Sequence, residues 1–234
     1  MKLKTLLSAL LLSFIVFNCS KNIDYSEAFK KKTSGSYIYN PDDLIEVYYE
    51  DNTLYLNWRG GKIKPVALDT NEFFVADMYK KLRFVQHPET RQRYLSVISE
   101  ENENQMTYDY LKAPEGYKTP SAHLKEGNYD NALAGYLEIK KQDSTSIFIN
   151  ERDFNRMVYQ NIRKHDYEKA IEILKINAAL HPESANVYDS LGEAYLLHGD
   201  SLQAYTNYKK TLKINSENRQ AKEFVNAYVA NSKE

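Results

Sequence analysis

The sequence predicts an α+β protein, with an N-terminal antiparallel β meander or small barrel followed by a C-terminal array of α-helical hairpins. From about residue 36 to residue 111, apolar residues recur at every second position, which is the period of a strand with one buried face. From about residue 118 the apolar spacing becomes helical and a 34-residue repeat appears. Strands and helices do not alternate along the chain, so a parallel sheet is not expected.

Residues 1–19 have the features of an export signal. Two lysines precede the apolar run Thr5–Phe17, whose 13 residues fall short of the roughly 20 that span a bilayer. Cys19, the single cysteine of the chain, follows that run directly. A lone cysteine cannot form an internal disulfide, so its position calls for another explanation.

This arrangement resembles the signal of bacterial lipoproteins, in which the cysteine becomes the lipidated first residue of the mature chain. Phe17 and Asn18 depart from the small residues that such signals prefer before the cysteine. The resemblance implies an exported envelope protein with a lipid at Cys19, anchored to the outer membrane and facing the periplasm. The alternative is ordinary signal cleavage beside an incidental cysteine.

The next segment, residues 20–35, is polar and charged, and we expect a tether with a short helix through Tyr25–Lys31. A β module is predicted over residues 36–112. Its clearest feature is a hairpin, in which two alternating runs flank the turn residues Asp51 and Asn52. Further turns and strands are expected at Gly60-Gly61 and at residues 62–68, 72–76, 81–86, 93–99 and 106–111.

The helical domain is predicted over residues 118–234. Aligning residues 151–184 with 185–218 superimposes the two copies of the repeat. The packing positions of this pattern are Tyr188, Leu191, Gly192, Tyr195, Gly199, Ala204 and Tyr208 in the second copy, and Ala170 and the closing Pro182 in the first. The spacing resembles the tetratricopeptide repeat, a helix–turn–helix unit. Gly192 and Ala204 are expected to let the two helices of the hairpin approach closely.

Two partial units flank the repeats. Residues 118–146 echo the turn and second helix of a repeat, with a spacing four residues longer than the others. Residues 219–232 carry apolar residues at helical spacing and are expected to form a cap helix. Repeat arrays need such caps to cover their apolar ends.

A wider resemblance joins the two parts. The stretches SGSYIYN, EVYYEDNTLYLNWRG, KLRFV and SANVYDSLGEAY resemble the C-terminal tail of bacterial serine hydrolases of the β-lactamase type. The catalytic motif of those enzymes is S-x-x-K, because a lysine one helical turn away helps to activate the serine. No serine of this sequence has a lysine at that spacing. The resemblance therefore implies accessory architecture without the catalytic domain.

The candidate site is a groove along the first helices of the repeats. The register gives its polar positions as Asn155, Tyr159, Asn186, Asp189 and Glu193. Such a surface can hold an extended peptide or a partner helix. The alternative is a solvated helix face, since exposed helix faces commonly carry charges. A catalytic carboxylate pair is not expected, because nothing nearby supplies a nucleophile.

Other chemistry finds little support. The five histidines are scattered and none pair at metal-ligand spacing, so neither a metal nor a cofactor is expected. The formal charge of −1 gives no basic field for nucleic acid. Trp58 and the tyrosines of the β module are expected in its core, the alternative being an aromatic-lined ligand site.

The leading hypothesis is therefore a non-catalytic, lipid-anchored envelope protein that binds a protein or peptide partner through its repeats. Two alternatives stay open at this stage. One is an accessory subunit or detached tail of a serine β-lactamase-like hydrolase, and the other is a small-ligand or glycan carrier that uses the β module.

Overall fold

The computed structural model describes residues 23–231, which form nine strands and eight α-helices. The strands are β1 (Gly35–Asn40), β2 (Asp43–Glu50), β3 (Thr53–Trp58), β4 (Gly61–Ile63), β5 (Val66–Ala67), β6 (Glu72–Val75), β7 (Lys80–Gln86), β8 (Arg93–Ile98) and β9 (Tyr110–Lys112). The helices are α1 (Glu27–Thr33), α2 (Pro120–Glu126), α3 (Tyr129–Gln142), α4 (Glu151–Ile162), α5 (Tyr167–Leu180), α6 (Ala185–His198), α7 (Ser201–Ile214) and α8 (Arg219–Asn231).

All nine strands belong to one curled antiparallel sheet, in the order β4-β3-β2-β1-β9-β8-β7-β6-β5. The β2–β3 hairpin has the predicted turn, because Asp51 and Asn52 both adopt positive φ angles, +43° and +62°, as a tight two-residue turn requires. The two edge strands, β4 and β5, follow one another in the chain. The fold class is thus α+β, with the strands first and most helices after them.

The last strand is shorter than the sequence predicted. Strand pairing is confined to Tyr110–Lys112, whereas residues 106–109 form a loop beside β8. In this loop Thr107 donates its amide N–H to the Ser96 hydroxyl at 3.0 Å, and Asp109 accepts the Val97 amide at 2.7 Å. These side-chain hydrogen bonds take the place of the backbone hydrogen bonds that a longer β9 would form with β8.

Within the described part of residues 20–35, the expected short helix is present as α1, two residues later than predicted, but the segment is not a free tether. Helix α1 packs on the sheet, with Tyr25 buried and Phe29 against Phe84 at a ring distance of 5.8 Å. Asn52, in the β2–β3 turn, accepts the Tyr25 amide at 3.1 Å. Although the segment is rich in charged residues, its few apolar side chains pack on the sheet. The segment therefore belongs to the β module.

The interior of the sheet is filled by its own side chains. Those with the least exposure are Tyr37, Ile45, Val47, Leu56, Phe73, Val75, Leu82 and Leu95. Trp58 lies at the rim of this core rather than inside it, and its indole Nε1 donates to Asp43 at 3.1 Å. The Arg59 guanidinium covers the ring at 4.7 Å.

The helices form antiparallel hairpins, α2–α3, α4–α5 and α6–α7, and α8 closes the series. The four extra residues between the first two hairpins include a 3-10 turn, Ile147–Ile149. Ile149 is buried, and its carbonyl is 2.8 Å from Nε2 of His181. The insertion is therefore anchored to the end of α5.

The α6–α7 hairpin is closest at Gly192. A Cβ atom at this position would lie 2.8 Å from the ring of Tyr208, nearer than real Cβ contacts come. The sequence had assigned the close approach to Gly192 and Ala204. Ala204 is fully buried, but the Tyr208 ring is what occupies the space beside Gly192. Gly199 ends α6 in the left-handed conformation, with φ of +90°.

The β module and the helices meet at the β1–β2 turn. The Tyr117 hydroxyl donates to the Pro41 carbonyl at 2.7 Å, and the Ser121 amide, in the first turn of α2, donates to Asp42 at 2.9 Å. A carboxylate at the start of a helix is favoured by the helix dipole. Within residues 23–231, none of the helices has the length and apolar character that crossing a membrane requires.

Candidate binding groove

The five groove residues predicted from the register lie on α4 and α6, the first helices of the two complete repeats. Asn155 and Tyr159 are on α4, and Asn186, Asp189 and Glu193 are on α6. A direct link between the two helices runs from the Asn186 amide to the Glu151 carboxylate, at 2.9 Å. The structure therefore brings these residues together across the boundary between repeats.

A second link lies one turn further along the helices. The Tyr159 hydroxyl of α4 is 3.5 Å from the Ser190 hydroxyl of α6, and its proximity to Glu193 lowers the pKa of that carboxyl. Tyr159 remains 40% exposed, so part of the residue is accessible to solvent. The tyrosine thus joins the helices and still offers contact area.

The third link joins α6 to α8. Asn218 precedes α8, and its amide Nδ2 donates to Asp189 at 3.1 Å while its Oδ1 accepts the Ala221 amide at 2.9 Å. The cap helix therefore continues the polar row begun on α4. Asn218 was not predicted, although an asparagine three residues before a helical alanine is a recognisable N-cap signal.

The side chain of Asn155 is held by a hydrogen bond from the neighbouring helix α5. Asn177 of α5 is fully buried and donates its Nδ2 to Asn155 Oδ1 at 3.0 Å and to the Glu151 carbonyl at 3.3 Å. This contact could not be predicted from the sequence, because Asn177 stands among apolar residues of a helix whose pattern predicts packing. A buried amide here fixes the orientation of the Asn155 side chain.

Asp189 and Glu193 are partly buried carboxylates without a basic partner: within the part of the chain that the structure describes, neither forms an ion pair. Burial raises the pKa of Asp189, and the hydrogen bond from Asn218 opposes this. Burial and then the charge of Asp189 raise the pKa of Glu193, opposed by the hydrogen bond from Tyr159. Both carboxylates therefore cost stability when ionised.

The arrangement is suited to binding. The row offers carboxylate and hydroxyl oxygens as acceptors, and it places two negative charges one helical turn apart. These groups can accept hydrogen bonds or receive a cation from a partner. Within residues 23–231, no three histidine, cysteine or carboxylate side chains are grouped to hold a metal ion.

The residues predicted to pack the repeats are not all in the core. Ala170, Leu191, Gly192, Ala204 and Tyr208 are buried. Pro182 is exposed, and Tyr188 and Tyr195 are only half-buried. These three line a cavity of about 470 Å³ between α5, α6 and α7, where Lys210 covers the Tyr188 ring at 5.2 Å. Cys19 lies outside the described residues.

Comparison with solved structures finds tetratricopeptide-repeat domains similar to the helical half. The first repeat domain of Spaghetti (RPAP3), solved with the HSP90 peptide SRMEEVD, is 17% identical with a TM-score of 0.35, over 49% of this chain and 88% of that one. MamA is 22% identical with a TM-score of 0.34, over 48% and 64%. The Arabidopsis OM64 repeat domain is 15% identical with a TM-score of 0.33, over 46% and 86%. No protein-family model and no curated protein matches the chain.

The pH dependence of stability tests the two carboxylates. Because their pKa values are raised in the folded protein, the folded state holds these protons more firmly, and stability falls as the pH rises from about 4 through the raised pKa values. The double variant Asp189→Asn/Glu193→Gln keeps the acceptors without the charges. We expect it to be more stable than the wild type at pH 7, by about 0.5 kcal/mol.

Urea unfolding at about pH 4.5 and pH 7 measures the effect, and the gain should shrink at the lower pH. Glu183→Gln is the matched control, since Glu183 is exposed and forms no ion pair in the described chain. A gain that does not change with pH, or a loss of stability at pH 7, would contradict this electrostatic account.

Proposed function

We propose that this chain is a non-catalytic, lipid-anchored protein of the bacterial cell envelope that binds a protein or peptide partner in the groove formed by α4, α6 and α8. The observation that carries the proposal is the polar row across the three helices. Hydrogen bonds from Asn186 to Glu151 and from Asn218 to Asp189, with the Tyr159 hydroxyl against that of Ser190, hold the row together.

The cost of the two carboxylates supports a binding role. Asp189 and Glu193 lose hydration, repel one another and have no basic residue of the described chain to offset this. Residues that destabilise the folded state are commonly retained for function. A partner that presents donor groups or a positive charge would relieve this cost on binding, whereas an acidic partner would increase it.

The exposed part of Tyr159 adds to this surface. Tyrosine offers a large contact area for little conformational entropy and is frequent among the residues that dominate binding energy. Leu196 and Leu197 follow on α6, at 41% and 45% exposure. The groove thus combines polar acceptors with apolar contact area, which is the composition of a peptide-binding surface.

The β module has a supporting role in this proposal. Its interior is occupied by its own side chains, and its first turn holds the start of α2 through Asp42. It therefore separates the repeats from the N-terminal end of the chain. At that end, Asn52 holds Tyr25, six residues after the cysteine that we propose to be lipidated.

Partner recovery tests the groove. The full chain and the variant Asn155→Ala/Asp189→Ala/Glu193→Ala are used to capture partners from envelope extracts of the native host in mild detergent. We expect recovery of the specific partner to fall about tenfold or more, equivalent to at least 1.4 kcal/mol of binding free energy. The control is Lys141→Ala/Gln203→Ala/Lys213→Ala, which changes exposed residues of the second helices α3 and α7 and should retain the partner.

Equal recovery by the groove variant and the control would reject the groove as the binding surface. Circular dichroism and thermal unfolding of both variants establish that any difference arises in folded protein.

Membrane fractionation tests the anchor. Cys19→Ala removes the only thiol that could carry a lipid. We expect the wild type in the membrane fraction, with a mass increase from the attached lipid, and an unlipidated variant. A wild-type chain of unmodified mass would contradict the lipid anchor, and the groove experiment would be unaffected.

A further inference from the structure

Two basic residues share the core-facing side of the sheet at the end that α1 covers. Arg93 begins β8 and Lys112 ends β9. The register pairs Tyr94 with Leu111 and Leu95 with Tyr110, so the next step places Arg93 opposite Lys112. Leu95 and Tyr110, two residues away on each strand, are both buried, and side chains two apart share a face. Arg93 and Lys112 therefore lie at the rim of the core.

Neither residue forms an ion pair in the described chain. Lys112 donates Nζ to the Lys32 carbonyl at the end of α1, at 2.9 Å. Within residues 23–231, the Arg93 guanidinium makes no hydrogen bond and no ion pair. Burial lowers the pKa of Arg93, while burial and then the charge of Arg93 lower the pKa of Lys112. Two partly buried cations thus lie at opposed strand positions, and neither has an ion-pair partner in the described chain.

Like charges directly opposite one another on neighbouring strands are destabilising. The Lys112 ammonium is held in place by the Lys32 carbonyl, whereas no contact of the described chain uses the Arg93 guanidinium. The pair combines the planar fork of an arginine, whose donors are unused, with the point charge of a lysine. This is the donor set that proteins use for phosphate, in which the guanidinium binds two oxygens and the ammonium a third.

We propose that Arg93 and Lys112 form a binding site for a phosphate oxyanion at the α1 end of the β module. The oxyanion would sit between the guanidinium and the ammonium, accept the free donors of Arg93, and neutralise the repulsion between the two cations.

The position of this site indicates where the phosphate comes from. The start of β1, the end of β2, the end of β9 and the start of β8 all lie at one end of the sheet. Ile23, the first described residue, lies at this same end, where Asn52 donates to its carbonyl at 3.4 Å. Cys19 is four residues earlier in the sequence, and four residues of polypeptide reach at most about 14 Å.

If Cys19 carries a lipid, as in the proposed function, the site lies near the membrane surface, and phospholipid headgroups can supply the phosphate. A soluble phosphate group has the same chemistry. The site itself depends only on Arg93 and Lys112, and it can therefore stand without the anchor.

Thermal unfolding of the full chain in detergent micelles tests the site, with inorganic phosphate compared against chloride at equal ionic strength. For the wild type we expect phosphate to raise the Tm by about 2–4 °C, the range that corresponds to a modest ligand effect in a chain of this size. Arg93→Gln/Lys112→Gln should lose this shift. The matched control, Arg163→Gln/Lys164→Gln, removes the same two charges from an exposed turn after α4 and should retain it.

A second arm distinguishes the sources. The same variants are reconstituted in nanodiscs of phosphatidylcholine with or without phosphatidylglycerol. If anionic lipid also raises the wild-type Tm, and the double variant alone loses the effect, the phosphate is that of a headgroup. A response to inorganic phosphate alone supports the site with a soluble phosphate group as its ligand.

The single variant Arg93→Lys tests the site even if the double variant fails to fold. It keeps the positive charge but removes the planar guanidinium group. We expect its phosphate shift to be less than half that of the wild type. The proposal is overturned if wild type shows no shift with either phosphate or anionic lipid, or if the Arg93 variants shift as the wild type does. Failure of the anchor would appear only in the mass and fractionation of the wild type.

Discussion

The helical half of this protein depends on the close approach of α6 and α7 at Gly192. A hydrogen atom in place of a side chain lets the ring of Tyr208 lie against the backbone of α6, and a Cβ atom there would be 2.8 Å from that ring. Tyr208 is fully buried, and its hydroxyl accepts from Gln220 of α8 at 3.0 Å. One aromatic ring thus sets the spacing within the hairpin and fixes the next helix. The position of α8 beside α6, and with it the Asn218–Asp189 contact, follows from that packing.

The groove is a consequence of the same arrangement. Once the second helices occupy one side of each hairpin, the first helices are left next to one another, and their outward positions form a continuous surface. The polar row is held by hydrogen bonds between helices, which place Tyr159 and Asp189 before any partner binds. Such preorganisation reduces the entropy lost on binding. The two carboxylates retain a cost in the free protein, and this cost is the physical reason for proposing the groove as a binding surface.

Periodicity predicted most of this fold, and its failures have identifiable causes. The change from period two to helical spacing located the sheet and the helical hairpins, and the repeat register brought Asn155, Tyr159, Asn186, Asp189 and Glu193 onto adjoining helices. Periodicity could not predict contacts between residues that are distant in the sequence. Phe29 and Tyr25 turn the expected tether into a packed helix, and they are indistinguishable in sequence from apolar residues of a linker.

The structural roles of certain polar residues also could not be predicted from the sequence. Asn177 supports Asn155 from a helix that reads as purely apolar, and Thr107 and Asp109 replace the start of a predicted strand with side-chain hydrogen bonds. The spacing of the repeat could not show which of its three packing tyrosines, Tyr188, Tyr195 and Tyr208, would be buried. Tyr208 is in the core, whereas Tyr188 and Tyr195 line an open cavity, because their exposure depends on how far apart α5 and α7 lie.

The most direct measurement is the free energy of unfolding of Gly192→Ala, compared with Gly61→Ala as a control at which a Cβ meets only ordinary contact. In an open helix this change would stabilise the protein by up to about 1 kcal/mol, because alanine favours helices. Against the Tyr208 ring we expect instead a loss of about 1–3 kcal/mol from overpacking. A gain in stability for Gly192→Ala would show that α6 and α7 do not approach as described, and the groove geometry that depends on them would be wrong.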